Sequence, residues 1–277
     1  MSNSKHLSKS TYFAFTLLAL IGSYSTHAEV PTLSNLSSEN VDEAVKTFGA
    51  LMNFRPLEPA GSFGKYFGVS LGLVAQAAPS SKLKNFIPNS GSVPAYLPDA
   101  NIVGAIQAPL GIALEFGFFP AKTFKSFHLE QYAGNLKWAV TDVFFSWLPI
   151  DVAVRGGYVA DKLGFTQTVS GIPVNIDYTQ KMWNFNLSVG KKLWIFEPYA
   201  GAGIVSQSAT LAANAAGTFS LFGQSVPYAV GNSVDQSITS PVFFAGAQIH
   251  LFAFNITLQD DYQFGLNNLA LKLAFKF

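Results

Sequence analysis

From about Lys65 to the last residue, the sequence keeps returning to a period of two. The final residues show it most plainly. In NNLALKLAFKF, the apolar Leu269, Leu271, Leu273, Phe275 and Phe277 alternate with Ala270, Lys272, Ala274 and Lys276. Successive side chains of a β-strand point to opposite faces, so such a stretch is a strand with one oily and one cationic face. A soluble sandwich and a membrane barrel can both hold it, and the rest of the chain has to choose.

The apolar face carries Phe67, Val69, Leu71 and Leu73, then Ile112, Leu114, Phe116 and Phe118. It continues with Val152 and Val154, then Trp183, Phe185, Leu187 and Val189, then Phe243, Ile249 and Leu251. The opposite face is mostly Gly, Ser, Ala, Asn and Gln, with an occasional charge. Small neutral-polar residues suit the inside of a narrow closed tube, whereas a soluble sheet turns a charged face to water. Composition agrees. The chain of 277 residues is 49% hydrophobic and only 12% charged, against about 25% charged in ordinary globular domains. A helical membrane protein needs apolar runs of about 18 residues, and none is present. A lipid-facing Lys or Arg costs about 2–4 kcal/mol at the bilayer midplane, and the apolar face carries almost none.

The pattern predicts a transmembrane antiparallel up-and-down β-barrel of about ten strands, with eight or twelve left open. The strands are expected at 64–77, 100–107, 110–119, 127–138, 149–161, 174–190, 195–211, 240–250, 253–264 and 268–277. About ten residues at ~3.3 Å each, tilted about 40°, rise about 25 Å, the height of a barrel's apolar band. Tight turns fall at Ala108–Pro109, Gly190–Trp194 and Leu251–Phe252. Long loops are expected at 78–99 and 212–239, and a medium one at 162–173. An even count puts both termini in the periplasm. Trp138 to Pro149 is too aromatic for a turn and predicts a short interfacial helix capped by Thr141.

The N-terminus reads as a secretory signal peptide over residues 1–28. Lys5 and Lys9 lead an apolar stretch, Tyr12–Ile21, and Ala28 ends a small-x-small site. Its removal takes the basic residues from 17 to 15 against 16 acidic ones, so no basic field recommends nucleic acid. The absence of cysteine suits an oxidising periplasm. Residues 29–62 follow as a periplasmic linker and one amphipathic helix, NVDEAVKTFGALMNF, with Val41, Ala44, Val45, Phe48, Leu51 and Met52 on one face. Asn40 and Glu43 have capping-box spacing. The oily face can cover the periplasmic mouth, enter the lumen or lie on the membrane. The barrel itself spans 63–277.

A terminal alternating strand that ends on an aromatic after a signal peptide resembles the closing strand of bacterial outer-membrane β-barrels. The resemblance implies an outer-membrane location and recognition of Phe275 and Phe277 by the barrel assembly machinery. The leading helix together with LPIDVAVRGGYV also looks like a functionally unassigned group of such barrels. No activity comes with that likeness.

Little points to catalysis. His128 and His250 are the histidines left after cleavage, and neither has a nucleophile at a telling spacing, Ser126 and Ser188 included. Asp260 and Asp261 are strand neighbours that point to opposite faces, so they cannot share a proton. No catalytic residue, cofactor or metal ligand is assigned. Alternation aims Glu115, Asp151, Arg155, Gln248, His250, Gln259, Asp261, Lys272 and Lys276 into the lumen, where charges of both signs need partners. These residues form a candidate polar network that holds the wall together. The apolar stretch 217–232, with Phe219, Leu221, Phe222 and Tyr228, is a candidate contact for a small hydrophobic ligand. The expected function is passage or binding of a small apolar molecule. A structural or adhesive barrel with extracellular interaction loops is the alternative, and a lipid-modifying enzyme ranks last. Outer-membrane lipid is the expected surrounding.

Overall fold

The computed structural model describes residues 38–63, 66–84, 95–124, 127–145, 147–169, 172–221 and 224–277. Ten antiparallel strands close into a barrel in sequential order, with β1 paired to β10. They are β1 (Gly68–Pro79), β2 (Tyr96–Gln107), β3 (Ile112–Phe124), β4 (Phe127–Ala139) and β5 (Asp151–Val169). Then follow β6 (Ile172–Gly190), β7 (Phe196–Leu221), β8 (Gln224–Leu251), β9 (Phe254–Gln263) and β10 (Leu266–Lys276). Over the height that all ten strands share, closure leaves no free sheet edge, which a lipid-embedded sheet requires. At the seam, Phe277 exchanges both backbone hydrogen bonds with Val69, at 2.8 and 2.9 Å.

The expected tight turns stand at 108–111, 191–195 and 252–253. They lie on the near rim, where β1 begins and β10 ends. Trp194 and Phe252 take positive φ there (59° and 57°) and point their rings outward. A one-turn helix, Thr141–Phe144, also lies on this rim, with Trp138, Phe144, Phe145 and Trp147 exposed. Thr141 does not cap it. Its hydroxyl accepts a hydrogen bond from the Val152 amide at 2.9 Å and ties the turn to β5. Among the described residues no helix is long and apolar enough to cross a membrane.

The far rim differs from expectation. The stretches 162–173 and 212–239 are not loops: β5 runs on to Val169, β6 starts at Ile172, and β7 and β8 stay paired from Phe196↔Ile249 to Leu221↔Gln224. Phe219 and Leu221 lie in β7 and Tyr228 in β8, while Phe222 lies outside the described residues. The physical reason is an inversion of polarity. From Trp183 to Val189 on β6 the apolar residues face out, whereas above them Asn175, Asp177, Thr179 and Lys181 face out and Val174, Ile176, Tyr178 and Gln180 are buried inside. The ladder Val159↔Met182↔Gln207↔Ile238 marks the level of the change on β5 through β8. Below it the wall meets hydrocarbon; above it the same strands stand in water around an interior of their own.

That interior is filled by the chain's own N-terminal arm. Helix α1 (Ser38–Met52) begins two residues before the expected cap, so Asn40 lies within it. Val41, Val45 and Met52 pack with Leu163, Ile176, Tyr178 and Leu211 of the projecting wall. Gly49 permits this approach, because a Cβ there would collide with the Gln207 side chain. After α1, residues 53–61 run through the lumen to the near rim, and Asn53 through Ala60 are all buried.

Candidate functional site

The lumen is the candidate site, and the arm supplies half of it. Arg55 binds Asp261 on β9 through two nitrogens, at 2.5 and 3.1 Å, and donates to Gln76 Oε1 at 2.7 Å. A further contact from Arg55 Nη2 to the Ala50 carbonyl, at 2.6 Å, caps the end of α1. Lower down, Glu58 accepts from Lys272 and, at 2.8 Å, from Lys276, both on β10. Ser70 on β1 donates to the same carboxylate at 3.2 Å. Among the described residues Lys137 on β4 has no carboxylate at bonding distance; its ammonium donates to the carbonyls of Pro59 and Gly61, at 2.5 and 2.7 Å. Arg155 on β5 pairs with Glu115 on β3 at 2.7 Å and also reaches the Glu58 carbonyl at 3.0 Å. At the near rim Glu197 meets His250 at 2.8 Å.

Two sharp features fix the path of the arm. Leu57 sits at φ 48°, a left-handed conformation costly for a residue with a Cβ, and is fully buried. Gly61 passes between Asp151 and Glu197, whose oxygens each lie 3.2 Å from where a Cβ would stand. Remaining space is small. A void of about 230 Å³ lies at the near rim, bordered by Lys192, Glu197, His250, Asn255 and Lys276. A second, of about 50 Å³, separates the arm from Asn184 and Asn186.

The nine residues aimed inward by alternation all lie on the lumen side. Glu115, Arg155, Gln248, Gln259, Asp261 and Lys272 are buried, and Asp151, His250 and Lys276 are partly buried toward the near rim. They do not form one network. Glu115–Arg155 joins wall to wall, Gln248 bonds Thr257 at 3.0 Å, and Gln259 accepts from Tyr199 at 2.9 Å. Asp261, Lys272 and Lys276 are instead held by the arm. Sequence reasoning missed Arg55, Glu58, Lys137 and Glu197, and also the upper cluster in which Tyr178 and Gln207 bond Gln180, at 2.6 and 3.0 Å. His128 lies near the far rim on β4 and His250 at the near rim on β8, too far apart to act together. No group of three His, Asp or Glu among the described residues is placed to hold a metal.

At the far rim, Glu43 of α1 binds Lys82 at 2.9 Å, and Lys46 binds Asp42 at 2.5 Å. Partial burial raises the Glu43 pKa, but the Lys82 and Lys46 ammonium groups outweigh it and hold the carboxyl below its usual value.

A family model matches residues 81–277, covering most of the barrel. The chain belongs to the family of unknown function DUF6588. No curated protein sequence matches it. Among solved structures it is similar to Ail, the attachment invasion locus protein of Yersinia pestis (14% identity, 76% of this chain, 97% of that one, TM-score 0.34). It is also similar to the translocator domain of the autotransporter NalP from Neisseria meningitidis (10% identity, 89% and 99% covered, TM-score 0.42). The outer-membrane protease OmpT from Escherichia coli is another such neighbour (8% identity, 80% and 100% covered, TM-score 0.39). All are bacterial outer-membrane β-barrels, the architecture seen here, and the likeness goes no further than fold.

Proposed function

We propose that this protein is a gated outer-membrane conduit for a small hydrophilic solute, held shut by residues 53–61 of its own chain. One observation carries the reading: three wall charges of the lower lumen, Asp261, Lys272 and Lys276, are neutralised by Arg55 and Glu58 of the arm rather than by the wall. A permanent core is normally apolar, since burying an ion pair gains little over packing hydrocarbon. A contact surface that separates into water has to be largely wettable on both faces, and outside the apolar belt around Phe54 and Leu57 this one is. With the arm withdrawn, Glu115, Lys137, Arg155, Asn184 and Asn186 would line a narrow tube with charges of both signs. That lining favours a polar solute over the apolar cargo that the oily helix face suggested, because the projecting wall already covers that face.

Cleavage after Ala28, insertion in outer-membrane lipid and assembly guided by Phe275 and Phe277 belong to the same proposal. The near rim then faces the periplasm. No enzymatic step is part of it.

The lumen can be locked for a direct test. A Cβ built on Gly190 lies 3.6 Å from Ala60 Cβ, close to the spacing of a disulfide. In planar bilayers the reduced A60C/G190C double variant should show openings that vanish on oxidation. Deletion of residues 38–61, helix and arm together, should give a constitutive conductance. If the deletion variant, shown to be folded, stays sealed to ions, the conduit reading is wrong.

A second reading rests on a different feature. The β7–β8 hairpin runs well past β9, with Ser206, Ser208, Asp235 and Ser237 exposed on its outer face. An adhesive barrel would use this wall. Adhesion lost on shortening the hairpin, with conductance unchanged, would favour it.

A further inference from the structure

The direction of the arm has a topological consequence. Helix α1 does not enter from the rim that carries β1 and the C-terminus. At its first turns Asp42 accepts from Gln236, high on the projecting part of β8 and above the Gln207↔Ile238 level, at 3.2 Å. Glu43 binds Lys82, just past the far end of β1. The end of α1 lies deeper. The Leu51 carbonyl accepts from Gln76 and the Met52 carbonyl from Gln131, both at 2.6 Å. Arg55 then meets Asp261, Glu58 meets Lys272, and Gly61 reaches Asp151 and Glu197 at the near rim. From Asp42 to Gly61 the chain therefore crosses the whole lumen from far rim to near rim.

The lengths agree. A helix of 15 residues at ~1.5 Å each is about 22 Å long, and the nine residues after it, bent at Leu57, reach at most about 30 Å. Together they exceed the ~25 Å apolar band of such a barrel. The start of α1 thus lies outside the hydrocarbon layer on the side opposite the C-terminus.

We infer that the barrel threads its own N-terminal arm outward through the lumen, so that the first turns of α1 are presented on the extracellular face. The barrel then shows the start of α1 outside, while Phe277 stays at the periplasmic rim. Because β1 pairs with β10 around the arm, the segment must be inside when the seam closes. This inference needs the path of the arm but not its release, so it stands or falls separately from the conduit reading.

The chain has no cysteine, which makes the test clean. The single variant E39C, within α1, is expressed in full in a Gram-negative host, beside S237C on the projecting wall and F252C on the near-rim turn. Intact cells are treated with a membrane-impermeant maleimide, and labelling after denaturation sets the total for each variant. Position 39 keeps the test independent of where the precursor is cut. E39C should label in intact cells to the same fraction as S237C, several-fold above F252C. If it labels only after the outer membrane is permeabilised, as F252C should, the inference is overturned.

Discussion

The two halves of the lumen are packed by opposite means. Above the Met182↔Gln207 level, α1 lies against Leu163, Ile176, Tyr178 and Leu211, an apolar cup outside the membrane. Below it, residues 53–61 sit among Asp261, Glu115, Lys137 and Lys272, inside the membrane. The surroundings explain the inversion. Where the outer surface meets water, the wall keeps its apolar side for the interior; where it meets hydrocarbon, the apolar side is spent outside and the interior is left polar. The helix is thus held mainly by burial and the extended segment mainly by charge. Phe54 and Leu57 are the exceptions, packing in an apolar belt with Val74, Val103 and Val205.

The comparison breaks most sharply at Glu58. Glu58→Ala strands Lys272 and Lys276 together, and losing one side of a buried pair costs about 3–5 kcal/mol. Urea unfolding in detergent should show that loss, and bilayer recordings should show leakage. Met52→Ala, in the cup, should cost about 2–5 kcal/mol by cavity formation but leave the conductance closed. Equal leakage from both variants would erase the distinction between anchor and plug. Gly49→Leu should cost about 1–3 kcal/mol, since Gln207 is held by the Val45 carbonyl and Tyr178 and has nowhere to retreat. Tyr178→Phe removes the hydroxyl bonds to Gln180 and Gln207 and should cost about 1–3 kcal/mol with no change in gating.

The smallest effect concerns pH at the far rim. Glu43 is held below its ordinary value of 4.5, so its charged form stabilises the folded state. That contribution is complete above the unfolded value and fades as pH falls through the lower folded one. The Glu43 contribution to its clamp with Lys82 should therefore be indifferent to pH around neutrality and fade in acid. Hydrogen exchange of the first turn of α1 measures it, and Glu43→Gln should remove the dependence.

The lipid-facing wall was readable in the sequence because one rule governs it. Trp183, Phe185 and Leu187 alternate with Asn184, Asn186 and Ser188, and hydrocarbon permits no other arrangement. The projecting wall was not, for the same rule misleads above the membrane. Ser233, Asp235, Ser237 and Thr239 alternate as regularly as the residues below them, but Val234 and Ile238 turn inward, so a strand looks like a loop. The arm was hidden for another reason. Pro56, Pro59 and Gly61 abolish any period in 53–61, and a segment without period reads as linker. A usable signal did exist. Asp261, Lys272 and Lys276 all pointed into a narrow lumen, and their partners had to come from somewhere. Arg55 and Glu58 lay three residues apart just before the barrel, but no alternation connected them to it.

The central claim is that the arm occupies the lumen, and cross-linking tests it most directly. In the folded double variant A60C/G190C, the two introduced thiols should join in high yield under mild oxidation. The product is read by mass and by faster migration on a non-reducing gel. A folded barrel whose two thiols both stay free and react with maleimide would place residue 60 away from β6 and contradict the account.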